Sequence, residues 1–294
     1  MRIVIADQME DEVVGRIRAL GEVSYRPADL KAALAEADVL VVRSATTVTR
    51  ALISGTKLRI VARAGVGLDN VDQEACVEKG IKVLNTPGAS TNAVAELAVG
   101  LIIGALRNVQ KAHHQMKGGR WEKKSLTGRE IEGSTLGIIG YGRIGAAVAR
   151  KAHALGMKVI AYNPPPRRED DIATFVDHLD SFLAHADVIS LHAALTESTK
   201  NIINRDTIAQ MKDGAIVINT ARGEMVDEDA LYDAIKSGKL AGAALDVFRH
   251  EPYSGKLLEL DNVVLTPHLG AATKEAQARI GDELVRLLKE ELKG

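Results

Sequence analysis

The chain has 294 residues, enough for two domains at roughly 150 residues each. Hydrophobic residues make up 46% and charged residues 26%, the balance of a globular protein with a sizeable core, and a formal net charge of −1 gives no general attraction to nucleic acid or to an anionic membrane surface. The single cysteine, Cys76, excludes a disulfide framework within the chain, and the opening Met1-Arg2-Ile3-Val4-Ile5-Ala6-Asp7 turns polar too early for a signal peptide. With no apolar run near the ~20 residues of a spanning helix, the expectation is a cytoplasmic protein with neither a membrane nor a nucleic-acid partner.

In chain order, short β-branched runs alternate with amphipathic stretches. Ile3 to Ile5, Val39 to Val42, Ile60 to Ala62 and Val83-Leu84 read as strands, with helices such as Glu10 to Leu20 and Asp72 to Lys79 between them. The turn-forming Asn85-Thr86-Pro87-Gly88 closes this series, and one long helix is predicted from about Thr91 to Lys117. A second series of strands follows at Leu136 to Ile139, Val159 to Ala161, Val188 to Ser190, Ala215 to Ile218, Ala243 to Leu245 and Val263 to Leu265. Six such strands complete a dinucleotide-binding sheet. The last helix, about Ala271 to Lys293, begins after that sheet is full, which predicts that it returns to pack on the first domain. The expected fold is therefore α/β: a Rossmann-type doubly wound parallel sheet of residues 90–270, inserted into a discontinuous flavodoxin-like domain of residues 1–89 and 271–294, with a cleft between them.

Gly140-Tyr141-Gly142-Arg143-Ile144-Gly145 follows a predicted strand and opens a predicted helix, the context a dinucleotide loop requires. Gly140 allows the tight turn, Gly142 lets the backbone approach a pyrophosphate, and Gly145 lets helix and strand pack closely. The next strand should end in an acid about 20 residues on, to hold the adenosine ribose hydroxyls. It ends instead in Asn163, followed by Pro164-Pro165-Pro166-Arg167-Arg168. Asparagine still hydrogen-bonds a ribose hydroxyl but does not repel a 2′-phosphate, and the arginines are either an attraction for that phosphate or a solvated pair. NAD is favoured, and NADP stays open.

Two further motifs fall at strand ends. Asn219-Thr220-Ala221-Arg222-Gly223 places a cation where open α/β sheets bind ligands, able to hold a carboxylate in two parallel hydrogen bonds. Thr266-Pro267-His268-Leu269-Gly270 places a histidine, the side chain suited to moving the proton on oxygen that accompanies a hydride on carbon. Glu251, before Pro252, is the acid paired with His268, expected to orient the imidazole and to favour its charged form. Alone, a loop histidine or a Glu-Pro turn is more often structural. The weight comes from Arg, Glu and His falling at successive strand ends downstream of a nucleotide loop. No metal site is expected.

On these motifs the chain resembles the D-isomer-specific 2-hydroxyacid dehydrogenases over nearly its whole length, and within them the phosphoglycerate dehydrogenase branch. The resemblance implies that Arg222 binds the substrate's carboxylate and keto oxygens, that His268 is the general acid/base and that Glu251 supports it. It further implies that Asp246 contacts the nicotinamide carboxamide and that Arg143 and Ile144 contact the pyrophosphate. Thr220, Ala221, Gly270 and Ala271 complete the implied cofactor set. In the first domain, Val42-Arg43-Ser44-Ala45-Thr46 and Arg63-Ala64-Gly65-Val66-Gly67-Leu68-Asp69-Asn70 resemble the branch's two substrate loops. They imply substrate contacts from Arg43, Ser44, Ala64, Gly65 and Val66, and Ser90 stands where asparagine is frequent in relatives. Arg43 suits a phosphorylated 2-hydroxy acid, which carries an extra dianion. The implied reaction interconverts D-3-phosphoglycerate and 3-phosphohydroxypyruvate in serine biosynthesis, with hinges at Asn85 to Ser90 and near His268, in a homodimer or homotetramer. The chain stops at Gly294, so no feedback through a C-terminal regulatory domain is expected. Two other readings stand beside this one. A glyoxylate or hydroxypyruvate reductase shares the three catalytic residues and is favoured by Asn163 and Arg167, and the family also includes a nucleotide-sensing corepressor scaffold.

Overall fold

The computed structural model describes residues 1–164 and 170–292, so Pro165, Pro166, Arg167 and Arg168 of the ribose-side loop lie outside the described residues. The chain divides into two compact units, Met1–Ser90 together with the segment from Ala271 onward, and Thr91–Gly270.

The first unit runs β1 (Arg2–Ile5), α1 (Asp11–Arg18), β2 (Glu22–Tyr25), α2 (Leu30–Leu34), β3 (Val39–Val42), α3 (Arg50–Ile53), β4 (Ile60–Arg63), α4 (Gln73–Glu78) and β5 (Lys82–Asn85). Its five strands pair in parallel in the order β2-β1-β3-β4-β5, the flavodoxin-like order. Successive strand residues point to opposite faces, so each strand feeds two cores. Ile3, Ile5, Val39 and Val41 face one core, and Val4, Leu40 and Val42 face the other. β2 was not anticipated, because Glu22-Val23-Ser24-Tyr25 is an edge strand with alternate residues exposed.

The second unit begins with α5 (Thr91–Leu106) and α6 (Val109–Lys117). The single long helix expected here is broken and bent by 67°. Asn108 adopts a left-handed φ of 54°, which asparagine tolerates, and its side chain donates to Thr127 O at 3.3 Å. Then follow β6 (Thr135–Ile139), α7 (Arg143–Ala154), β7 (Lys158–Tyr162), β8 (Ala173–Phe175), α8 (Leu179–His185), β9 (Val188–Leu191), α9 (Arg205–Gln210), β10 (Ala215–Asn219), α10 (Glu228–Lys236), β11 (Leu240–Leu245) and β12 (Val263–Leu265). All seven strands are parallel, in the order β12-β11-β10-β9-β6-β7-β8. That is the Rossmann arrangement with one strand more than the six predicted, the addition being the three-residue edge strand β8. Two apolar clusters fill the faces of this sheet, one beneath α8, α9 and α10, the other beneath α5 and α7. No single helix among the described residues is long and apolar enough to cross a membrane.

The final helix, α11 (Lys274–Glu291), starts three residues later than predicted, where Thr273 Oγ1 accepts from Ala276 N at 3.1 Å. It belongs to the first unit and buries Ile280, Leu284 and Leu288 with Ile3 and Ile17. Gly281 lets it approach α1 closely, since a Cβ there would stand 2.3 Å from Val13 Cγ2.

Candidate active site

The carboxyl ends of β10, β11 and β12 are neighbours in the second sheet, and Arg222, Asp246 and His268 each follow one of them. Beyond β10 the chain turns on Asn219, whose Nδ2 donates to Arg222 O at 2.8 Å while its Oδ1 accepts from Ala221 N at 3.0 Å. Arg222 is half-buried, and its Nη1 donates to Ala221 O at 2.6 Å. Gly223 is required by contact. A Cβ there would lie 1.9 Å from the Phe248 carbonyl carbon, so the loops after β10 and β11 touch through backbone alone.

Asp246 holds the histidine loop together. Its buried carboxylate accepts from Thr266 Oγ1 at 2.5 Å and Leu269 N at 2.7 Å on Oδ1, and from Gly270 N at 2.8 Å on Oδ2. Its backbone oxygen accepts from His268 N at 2.9 Å. These bonds fix His268 at a left-handed φ of 54°, a conformation that costs a non-glycine residue of order 1 kcal/mol or more unless its surroundings impose it. His268 Nδ1 lies 2.9 Å from Glu251 Oε2, and Glu251 Oε1 accepts from Phe248 N at 3.1 Å. With Nδ1 donating to the carboxylate, Nε2 is the ring nitrogen left to exchange a proton with a ligand. The two side chains are 43% and 38% exposed within the chain, so the pair is open to a small molecule.

The glycine loop leads from β6 into α7. Gly140 has φ 92°, and a Cβ there would stand 2.3 Å from Ala193 N; one at Gly145 would stand 2.2 Å from Gly140 O. Gly142 faces open space and caps α7 without a side-chain hydrogen bond, so the first-turn N–H groups of Arg143, Ile144 and Gly145 have no capping side chain among the described residues. Asn163, at the end of β7, braces this loop. Its Oδ1 accepts from Tyr141 N at 2.9 Å, and its Nδ2 donates to Pro164 O at 2.9 Å. After β10, Thr220 Oγ1 is buried with no hydrogen-bond partner among the described residues. An anion-accepting helix start, a glycine cradle and an unmet hydroxyl at a strand end together fit a dinucleotide.

In the first unit, the loop after β3 is tied down from both sides. The buried Asp7 carboxylate accepts from Arg43 N at 2.5 Å and from Thr46 Oγ1 at 2.5 Å, and Asn70 Nδ2 donates to Arg43 O at 2.8 Å and Thr46 O at 2.6 Å. Ser44 is exposed, and Arg43 Nη1 donates to Gln8 O at 3.0 Å. After β4, Ala64 and Gly65 are buried and Val66 is half-buried, with Val66 O accepting from Asn85 Nδ2 at 2.7 Å. Gly65 is favoured by its backbone, whose φ of 153° L side chains rarely adopt. Ser90 is buried and groups with this unit, and Ala271 O accepts from Gln277 Nε2 at 2.7 Å. The braces Asp7, Asn70 and Asn219, and the loop-organising part of Asp246, were missed in the sequence. For Asp7, Asn219 and Asp246 the only signal was a position within two residues of a predicted strand end, and Asn70, eight residues beyond Ala62, lacked even that.

A parallel doubly wound sheet with a glycine loop at one strand end and an Arg, a Glu and a His gathered at three others defines a nucleotide-dependent oxidoreductase. Comparison with known proteins gives the family. The sequence profile of the D-isomer specific 2-hydroxyacid dehydrogenase, NAD binding domain, matches residues 99–270. The chain is 55% identical over 269 residues to the hydroxypyruvate reductase of Thermotoga maritima, covering 90% of this chain and 88% of that one. It is 45% identical over 303 residues to the D-3-phosphoglycerate dehydrogenase of Methanocaldococcus jannaschii, covering 100% of this chain but only 58% of that one. The D-lactate dehydrogenase of Aquifex aeolicus, solved with NAD and lactic acid, superposes with a TM-score of 0.90 at 32% identity, covering 100% of this chain and 96% of that one. The chain belongs to the D-isomer specific 2-hydroxyacid dehydrogenases and is an NAD-dependent oxidoreductase.

Proposed function

We propose that the enzyme interconverts D-3-phosphoglycerate and 3-phosphohydroxypyruvate. The observation that carries this reading is the Arg43–Ser44 loop, held by Asp7 and Asn70 so that a guanidinium and a hydroxyl are presented on a fixed backbone. One of the five Arg43 side-chain donors is used on Gln8 O, and the remaining fork suits a phosphate dianion. A second reading, reduction of unphosphorylated hydroxypyruvate, is supported by the 55% identity to a reductase of similar length.

The chemistry at C2 is the same in both. Arg222 holds the substrate carboxylate and polarises the C2 oxygen. His268 Nε2 takes the hydroxyl proton during oxidation and returns it during reduction. Glu251 fixes the ring through Nδ1, so that the correct nitrogen faces the substrate. Gly140, Gly142, Arg143, Ile144 and Gly145 would hold the pyrophosphate, Asn163 the adenosine ribose, and Thr220, Ala221, Asp246, Gly270 and Ala271 the nicotinamide end. Bound NAD supplies the hydride acceptor at C4 and, reduced, the donor. Asp246 already accepts three hydrogen bonds, so it contributes to that end chiefly by shaping the 266–270 loop. Arg43, Ser44, Ala64, Gly65, Val66 and Ser90 make up the substrate set of the first unit. A homodimer or homotetramer goes with this reading, supported by the exposed apolar side chains Val109, Met116 and Trp121.

The test is NADH and NADPH oxidation, followed by absorbance, with 3-phosphohydroxypyruvate, hydroxypyruvate and glyoxylate. The expected order of kcat/KM places the phosphorylated acid first. Preference for an unphosphorylated acid would overturn that assignment and leave the roles of Arg222, Glu251 and His268 standing.

A further inference from the structure

A concavity of about 790 Å³ lies on the α8 face of the second sheet, towards the amino ends of β6 and β7 and so at the opposite strand ends from the glycine loop. Its origin is a short helix. The seven residues of α8 span about 10 Å at ~1.5 Å per residue, and the helix is seated over β6 and β7, short of β8. Gly137 permits this, since a Cβ there would come within 2.7 Å of the Phe182 ring and 2.8 Å of Ala186 Cβ. At the outer edge of the sheet, Ile160 of β7 and Ile172 and Val176 on either side of β8 supply the apolar part of the lining.

The walls are basic, with His153, Lys158, His185 and Lys212 around this apolar floor and no carboxylate among the lining side chains. Lys212 is paired with Asp187 at 3.0 Å, whereas Lys158 and His153 make no ion pair among the described residues. His185 Nδ1 lies 2.6 Å from Ser181 O, which makes Nδ1 the donor and leaves Nε2 as the other ring nitrogen. The last carbonyl oxygens of α7 are met by backbone N–H groups. Ala152 O accepts from Leu155 N and Met157 N at 3.1 Å each, and His153 O from Gly156 N at 2.9 Å. The volume is in the range of small-molecule sites, about 300–1,000 Å³, and the combination of apolar floor and cationic wall selects for an amphiphilic anion.

We propose that this concavity binds a small organic anion, a phosphate or carboxylate carried on a flat apolar body, independently of the nucleotide and of the substrate. The floor takes the apolar body, while Lys158 and the two histidines meet the charge. The proposal does not depend on which 2-hydroxy acid is the substrate.

The probe is 1-naphthyl phosphate, titrated calorimetrically into the full chain saturated with NADH, with inorganic phosphate and 1-naphthol as separate arms. The expected result is one site, at least tenfold tighter for naphthyl phosphate than for either component. Lys158→Glu and Thr174→Glu, both at exposed positions lining the concavity, should each weaken it at least fivefold without changing the NADH Kd. Absence of binding, equal binding of inorganic phosphate, or undiminished binding in both variants would overturn the proposal.

Discussion

Glu251→Gln changes the proton-transfer pair with almost no change in shape, and its cost can be worked from the geometry. The Glu251 carboxylate accepts two donors, His268 Nδ1 at 2.9 Å and Phe248 N at 3.1 Å. A glutamine has one acceptor oxygen, so either donor would face an amide NH₂, and an unmet buried N–H costs about 1–3 kcal/mol. The electrostatic loss adds to this only when His268 carries the proton. Two unit charges 2.9 Å apart interact by about 1.4 kcal/mol in water and about 6 kcal/mol at an effective dielectric constant near 20. With the side chains 43% and 38% exposed, solvent screening keeps the electrostatic part at or below the figure for water, so the total with the unmet N–H is about 1.5–3 kcal/mol. This corresponds to a kcat reduced roughly 10- to 100-fold. The assay is steady-state NADH oxidation with the preferred 2-oxo acid, beside NADH binding by fluorescence, which should stay within twofold of the parent. A kcat within twofold of the parent would refute the assigned role of Glu251.

Three other outcomes follow from particular contacts. Gly140→Ala puts a methyl group 2.3 Å from Ala193 N at a φ of 92°, so we expect lost NADH binding and a melting temperature lowered by several degrees; unchanged binding in calorimetry would contradict the loop assignment. Burial pushes His192 from 6.5 down to about 3, so between those values the unfolded chain holds a proton that the folded chain does not. Stability is therefore lost on acidification below about pH 6.5, by up to ~1.4 kcal/mol per pH unit, and His192→Gln should flatten that decline in denaturant melts, whereas parallel curves would exclude it. Asn163→Asp places a carboxylate where a 2′-phosphate would lie, which should lower kcat/KM for NADPH relative to NADH at least tenfold, about 1.4 kcal/mol; an unchanged ratio would show that Asn163 does not face the ribose.

Strands buried on both faces were legible because they read as unbroken β-branched runs, as Val39 to Val42 and Ala215 to Ile218 do. The two missed strands, β2 and β8, are edges with alternate or few buried residues, which gives them no such run. The bend at Asn108 was hidden because apolar spacing continues on both sides of it, through Leu106 and Val109. Arg222 and His268 stood out because Gly223, Pro267 and Gly270 punctuate the strand ends they occupy. Asp7, Asn70 and the loop-organising part of Asp246 did not, since their partners lie 20 or more residues away in the chain, from the Thr266 hydroxyl on Asp246, 20 residues on, to the Thr46 hydroxyl on Asp7, 39 residues on. The basic concavity beside α8 was equally invisible, because it arises from a helix too short to cover its sheet.

The most direct test of the account is His268→Ala, assayed for turnover of 2-oxo acid and separately for NADH affinity. If His268 Nε2 exchanges the substrate proton while the glycine loop holds the cofactor, kcat falls at least 10³-fold, about 4 kcal/mol, and the NADH Kd stays within threefold. Turnover within tenfold of the parent, or NADH binding lost together with activity, would contradict it.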